Sequence, residues 1–217
     1  MTTLDQALTQ VPDSPDLAAA YVAEKVTPTV AAVRAAMPPG DVGAQVETVL
    51  AAVESAAGSG DPAAFDSPEF AAAQAGMYPY VAQACGYTQI SATASDDAFA
   101  GVPATLKAGR QVLLLTNQST AGEFHEIAFV KLVPDTDIAV KDFMALPPEE
   151  ADKLIDPASY GVGVYTAPGE TSGAVVDLTP GRWVYACFVP QGTTAETPDG
   201  TGPPHADAGM YGEVAVS

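Results

Sequence analysis

The feature that most constrains this chain is a change of hydrophobic period at Cys85-Gly86. Before that point apolar residues recur at steps of three and four, which places them on one face of a helix. After it they alternate, which places them on one face of a strand. The sequence therefore predicts an α+β protein with two parts: a helical N-terminal domain over residues 1–84 and a β-sandwich domain over 85–217. A length of 217 residues accommodates one large domain or two small ones.

Three apolar stripes mark the helical part, enough for a small antiparallel bundle of about three helices. The first runs through Val22, Val26, Val30, Val33 and Met37. Pro28 interrupts it and, lacking an amide N–H, is expected to kink or split the helix; Pro38-Pro39-Gly40 ends it. The second runs through Val42, Val46, Val49, Val53 and Ala57 and stops at Gly58-Ser59-Gly60. The third opens at Ser67-Pro68-Glu69, a capping residue followed by proline at the first helical position. Its face is Phe70, Ala73, Met77, Tyr80 and Ala84.

Beyond Gly86, Thr88, Ile90, Ala92 and Ala94 alternate with Tyr87, Gln89, Ser91 and Thr93. Further short segments follow at 111–116, 126–132, 161–165, 173–178, 182–189 and 213–216, separated by Gly, Pro, Asn and Asp. Seven short strands with such turns predict two packed sheets. A short helix is expected over 147–155, with Glu149 and Glu150 in its first turn. Residues 191–204 are rich in Gly, Thr and Pro and read as a mobile loop.

Charge removes several function classes. Eight basic residues against 27 acidic ones give a formal net charge of −19. Such a surface does not neutralise phosphates, which excludes nucleic acid as the main partner, and it disfavours anionic lipid. The apolar runs are too short for a membrane span. The opening residues carry no basic and apolar leader pattern, so this chain is read as cytosolic or as a mature chain without its signal. His125-Glu126 lacks the second histidine of a zinc-protease helix, and no Gly-x-Ser-x-Gly elbow occurs. Asn117-Gln118-Ser119 fits an N-glycosylation sequon. Asp96-Asp97 and Glu149-Glu150 read as solvated surface.

The candidate chemistry is concentrated in the β part. The chain has two histidines, His125 and His205. Cys187 closes an alternating segment, and Met210 follows His205. Two imidazoles, a thiolate and a weak thioether are the donors of a blue-copper centre, a compromise between the preferences of the two copper oxidation states. The alternatives at each residue are ordinary: a structural or solvated histidine, a core methionine, and for Cys187 either an inert buried thiol or a disulfide with Cys85. Trp183 and Tyr185 share the strand face of Cys187 and read as packing residues.

Three stretches resemble the cupredoxins. The first is Asn117-Gln118-Ser119-Thr120-Ala121-Gly122-Glu123-Phe124-His125-Glu126-Ile127-Ala128-Phe129, a turn that delivers a histidine to a strand. The second is Leu178-Thr179-Pro180-Gly181-Arg182-Trp183-Val184-Tyr185-Ala186-Cys187, and the third is His205-Ala206-Asp207-Ala208-Gly209-Met210 before a closing strand. The resemblance covers about 86–217. It implies a cupredoxin-like Greek-key β-sandwich and one type 1 copper ion held by His125, Cys187, His205 and Met210. It also implies a role in electron transfer or copper handling; the acidic surface would then steer a basic redox partner, and with two histidines in the chain the further clusters of copper enzymes are not expected. A metal-free binding or structural module of the cell envelope is the alternative function. A helical segment ahead of such a domain is also similar to actinobacterial secreted or lipid-anchored proteins, which implies an extracytoplasmic setting.

The chain departs from the family pattern at one place: seventeen residues, 188–204, separate Cys187 from His205. A short loop pins its ligands through its own hydrogen bonds, whereas a long one must be ordered by other means. In the implied sandwich the first strand begins far from the ligand end. A strand of this length spans about 20 Å, and a disulfide needs Cα atoms within about 7 Å. A Cys85–Cys187 bridge would require the helical segment to fold over the ligand end.

Overall fold

The computed structural model describes residues 21–38, 40–59, 62–159 and 162–217. The chain divides into two compact units, Met1–Tyr80 and Val81–Ser217. The expected turns at Pro39 and Gly60, the strand start at Gly161 and the chain's opening residues lie outside the described residues.

Pro28 does split the first helical segment. A π-helical stretch, Val22–Val26, leads into α1, Thr27–Ala35, with Pro28 in the first turn where its missing N–H costs nothing. Val26 and Val30 are buried. Helix α2, Asp41–Ser59, buries Val46, Val49, Leu50 and Val53. Arg34 of α1 donates hydrogen bonds to Glu47 and Glu54 of α2. Helix α3, Pro68–Cys85, starts as expected, with the Ser67 hydroxyl accepting the Phe70 N–H at 3.2 Å. Its buried residues are Ala71, Ala73, Met77, Tyr78 and Ala82, while Tyr80 is 41% exposed and Ala84 is exposed. The expected Tyr80/Ala84 stripe is corrected here: in an alanine-rich helix several faces are equally apolar, so spacing does not single out one. The helix ends on Gly86 at φ 68, and the Tyr87 N–H turns back to the Ala82 carbonyl.

The β unit is the expected two-sheet sandwich, with nine strands among the described residues instead of seven. They are β1 Thr88–Ser95, β2 Ala98–Ala100, β3 Thr105–Leu106, β4 Gly109–Asn117, β5 His125–Lys131, β6 Val162–Thr166, β7 Thr171–Leu178, β8 Gly181–Ala186 and β9 Tyr211–Val216. One sheet has the order β2-β1-β4-β7 and the other β3-β9-β8-β5-β6. Strands β2 and β3 are two or three residues long, too short to show a period. Strands β1 and β4 pair in parallel, as do β3 and β9. Inward residues such as Ile90, Leu113, Leu115, Ile127, Phe129 and Trp183 fill the space between the sheets. Full burial of each contributes roughly 1.5–3 kcal/mol.

Between β5 and β6 the chain makes an excursion across the outer face of the second sheet. It includes α4, Val140–Met144, and α5, Pro148–Ala151, which runs into a 3-10 turn at Asp152–Leu154. The helix expected over 147–155 is thus a single α-turn that tightens, and α4 was not legible. Phe143 packs there with Val130, Leu132 and Val184 in a second small core.

Candidate metal centre

Strand alternation and antiparallel pairing deliver the candidate residues to one place. His125 is the first residue of β5, on the same inward face as Ile127 and Phe129. Strand β8 runs antiparallel to β5, so Cys187, one residue past its end, arrives beside the start of β5. Cys187 continues the inward face of Trp183, as expected, although the strand stops at Ala186 and not at residue 189. A 3-10 turn, His205–Ala208, precedes β9, which pairs with β8. Gly209 at φ 105 reverses the chain after that turn and brings Met210 back. The backbone locks the three segments together. Cys187 N–H donates to the Met210 carbonyl at 3.1 Å, Ala206 N–H to the Cys187 carbonyl at 2.8 Å, and Met210 N–H to the His205 carbonyl at 3.2 Å.

His125, Cys187, His205 and Met210 are all fully buried. The Cys187 Sγ lies 3.7 Å from His125 Nδ1 and 3.8 Å from His205 Nδ1. One ligand atom from each of His125, Cys187 and His205 falls within 4.8 Å of the others. A metal with bonds of about 2.0 Å to nitrogen and about 2.3 Å to sulfur would hold N and S about 3.5–3.7 Å apart at angles between tetrahedral and trigonal, close to the distances found. The residues therefore fit a single ion. The two rings meet edge to face, with centroids 4.5 Å apart.

The long loop, read from its composition as mobile, folds back on itself and carries its own hydrogen bonds. Its neck closes at a Pro190–Pro204 bridge. Inside it, Gln191 N–H donates to the Pro203 carbonyl, and the amides of Thr201 and Gly202 donate to the Gln191 carbonyl. The excursion beyond the neck is thus a closed unit. Cys187 is joined to His205 across Phe188-Val189-Pro190 and Pro204, as if by a short loop.

Glu123 fastens that loop to the site. Its Oε1 accepts the Gly192 N–H at 2.7 Å, and its Oε2 lies 2.8 Å from His205 Nε2. A carboxylate there can accept an Nε2–H and anchor the ring from its far side, while Nδ1 faces Cys187. Val189 O also lies 2.8 Å from that Nδ1. Burial works to raise the Glu123 carboxyl, but His205 and the Gly192 amide outweigh it and hold it below the usual range. Burial, then repulsion from His205, pushes His125 down to about 4, so its ring is neutral and ready to ligate at neutral pH. Its Nε2 is buried and without a hydrogen-bond partner among the described residues. Burial pushes the Cys187 thiol up to about 11, against amides that donate to it, Glu126 N–H among them at 3.4 Å. Metal uptake would therefore release a thiol proton.

Comparison with known proteins gives matches at the level of structure alone. No family model matches the chain, and no curated protein does. Auracyanin B is 22% identical over 60% of this chain and 88% of its own, with a TM-score of 0.36. The auracyanin of Roseiflexus castenholzii is 22% identical over 60% of this chain and 97% of its own, with a TM-score of 0.37. Rusticyanin from Thiobacillus ferrooxidans is 19% identical over 60% of this chain and 78% of its own, with a TM-score of 0.33.

The two-sheet sandwich that the resemblance implied is present, with its candidate ligands at one end. Cys85 and Cys187 are both free, the first exposed and the second buried, so the disulfide alternative is not realised. Asn117 is fully buried and its amide is spoken for: Nδ2 donates to the carbonyls of Glu123 and Thr166, and Oδ1 accepts the Ser119 N–H. This excludes a glycan on the sequon in the folded chain. Asp96 is not idle surface either. Its carboxylate accepts the Ser119 and Thr120 hydroxyls and the Thr120 and Ala121 amides, which shapes the turn ahead of His125. Glu123, Asn117 and Asp96 were missed as site residues because their partners are backbone groups, two hydroxyls more than 20 positions away and a histidine 82 positions away.

Proposed function

We propose that this chain is a copper protein that carries single electrons or hands on copper, and not an enzyme. The observation that carries the reading is the buried His125, Cys187 and His205 cluster, with both Nδ1 atoms 3.7–3.8 Å from one sulfur. Two imidazoles and a soft thiolate favour copper, and fully buried Met210 is the fourth candidate through its thioether. Copper bound there would supply a one-electron couple. The protein's part is to hold its donors in one arrangement, to exclude water, and to damp the thiolate charge with the Glu126 amide. A carrier also fits two histidines in the whole chain, which leaves none for a second cluster.

A net charge of −19 supports a basic protein as redox partner, with association that weakens as salt rises. An extracytoplasmic location is part of the same proposal and rests on the sequence resemblance; cell fractionation tests it. Among the described residues no helix is long and apolar enough to cross a membrane.

The test is a titration of reduced, metal-free protein with Cu(II), followed by visible absorption. An intense thiolate-to-copper band saturating at one equivalent is expected, and C187S should lack it. A band that survives in C187S, or no band in the wild type, overturns the reading and leaves a metal-free scaffold.

A further inference from the structure

A second site lies on the other side of the same sheet. The excursion between β5 and β6 does not cover the outer face completely, and a cavity of about 660 Å³ remains beneath it. That size is typical of pockets for small organic ligands. The cavity exists because its floor is built from residues with little or no side chain: Ala128 of β5 stands opposite Gly163 of β6. A side chain at 163 would meet the Ile127 carbonyl at 2.6 Å, so the floor stays bare. Phe143, Met144 and Ile155 form the opposing wall, and Tyr165 and Phe188 stand at the side nearest Cys187. These two aromatics are 50% and 45% exposed, and one face of Tyr165 stacks on Phe124 with ring centroids 5.4 Å apart.

The polar groups decide the kind of ligand. Among the described residues the charged side chains that line the cavity are Glu126 and Asp152, both acidic, with no basic one beside them. Glu126 faces outward, opposite Tyr165 in the ladder, and its Oε1 accepts the Phe188 N–H at 3.1 Å. Among the described residues that amide is its one hydrogen-bond partner, yet a half-buried carboxylate can accept several. A carboxylate taken partly from water is costly unless donors or a cation meet it. Aromatic faces at the mouth also favour a cation, and the chain's overall negative field concentrates one.

We propose that this cavity binds a small apolar amine, with its cationic nitrogen on the Glu126 carboxylate and its apolar body over Ala128 and Gly163 against Phe143 and Met144. The site requires no copper, so it stands or falls separately from the function proposed above.

Three probes of one shape test it on the metal-free full chain by calorimetry: 2-phenylethylamine, 2-phenylethanol and phenylacetate. The amine should bind at least tenfold more tightly than the alcohol, and the anion should not bind. E126Q keeps an oxygen for the Phe188 amide; it should bring the amine down to the affinity of the alcohol and leave alcohol binding as it was. A128F fills the floor while keeping Glu126, and should abolish both. An alcohol that binds as well as the amine, an E126Q protein that still prefers the amine, or amine binding that survives in A128F would each overturn the proposal. Should E126Q lose alcohol binding as well, the wild-type preference together with A128F decides.

Discussion

Glu123 does for His205 what a short ligand loop would do by itself. It fixes the ring from its far nitrogen while its other oxygen holds Gly192 of the loop. A negative charge behind a ligand favours the more highly charged metal state, so E123Q should weaken Cu(II) about 10–100-fold and Cu(I) less. The reduction potential should then rise by about 59 mV for each tenfold difference. Voltammetry of the copper-loaded variant checks it, and an unchanged potential would reduce Glu123 to a loop fastener. The two cysteines give a second prediction at this scale. Cys85 is exposed, while Cys187 is buried with its thiol pushed up to about 11. Only thiolate alkylates readily. In native metal-free protein one thiol should react with iodoacetamide, mapped to Cys85 by mass spectrometry, and Cys187 should follow only on unfolding.

At the scale of elements, local signals and long-range ones separate. The start of α3 is local: Ser67 caps Phe70, and S67A should cost about 0.5–2 kcal/mol, read from the helical ellipticity during urea unfolding. The turn before β5 is not local. Asp96, at the end of β1, accepts four hydrogen bonds from residues 119–121, and these hold its carboxyl far below the usual range. A depressed carboxyl contributes stability that is fully present above its unfolded value of about 3.9 and is lost as pH falls through the lower folded value. D96N should therefore unfold at lower urea than the wild type near pH 7, and the gap should close in acid. A gap that stays constant with pH would remove the ionised carboxylate from the account.

The whole molecule is set by its charge. With −19 spread over a 22.0 kDa chain, long-range attraction selects cations. At low salt the copper-loaded protein should exchange electrons faster with a cationic small redox reagent than with an anionic one of similar potential. The two rates should converge as the Debye length shrinks from about 30 Å at 0.01 M toward about 8 Å at 0.15 M, as stopped-flow traces would show. Rates that ignore both reagent charge and salt would mean that the field does not reach the site of exchange.

What the sequence determined by itself is what repeats or caps within a few residues. The period change at Gly86, the split at Pro28, the Ser67 cap and the inward run of Trp183 and Cys187 are all of this kind, because helix and strand periodicity need no distant partner. The four candidate ligands were legible for a related reason: their residue types are scarce here, and scarcity together with order survives without coordinates. Tertiary structure alone decided the rest. The closed neck at Pro190 and Pro204, the reach of Glu123 to His205, the work of Asn117 and Asp96, and the cavity over Ala128 and Gly163 join residues that only the fold brings together. Polar groups at such contacts carry no periodic signature. Two strands of two or three residues left none either, and the alanine-rich third helix offered several equally apolar faces, among which only packing could choose.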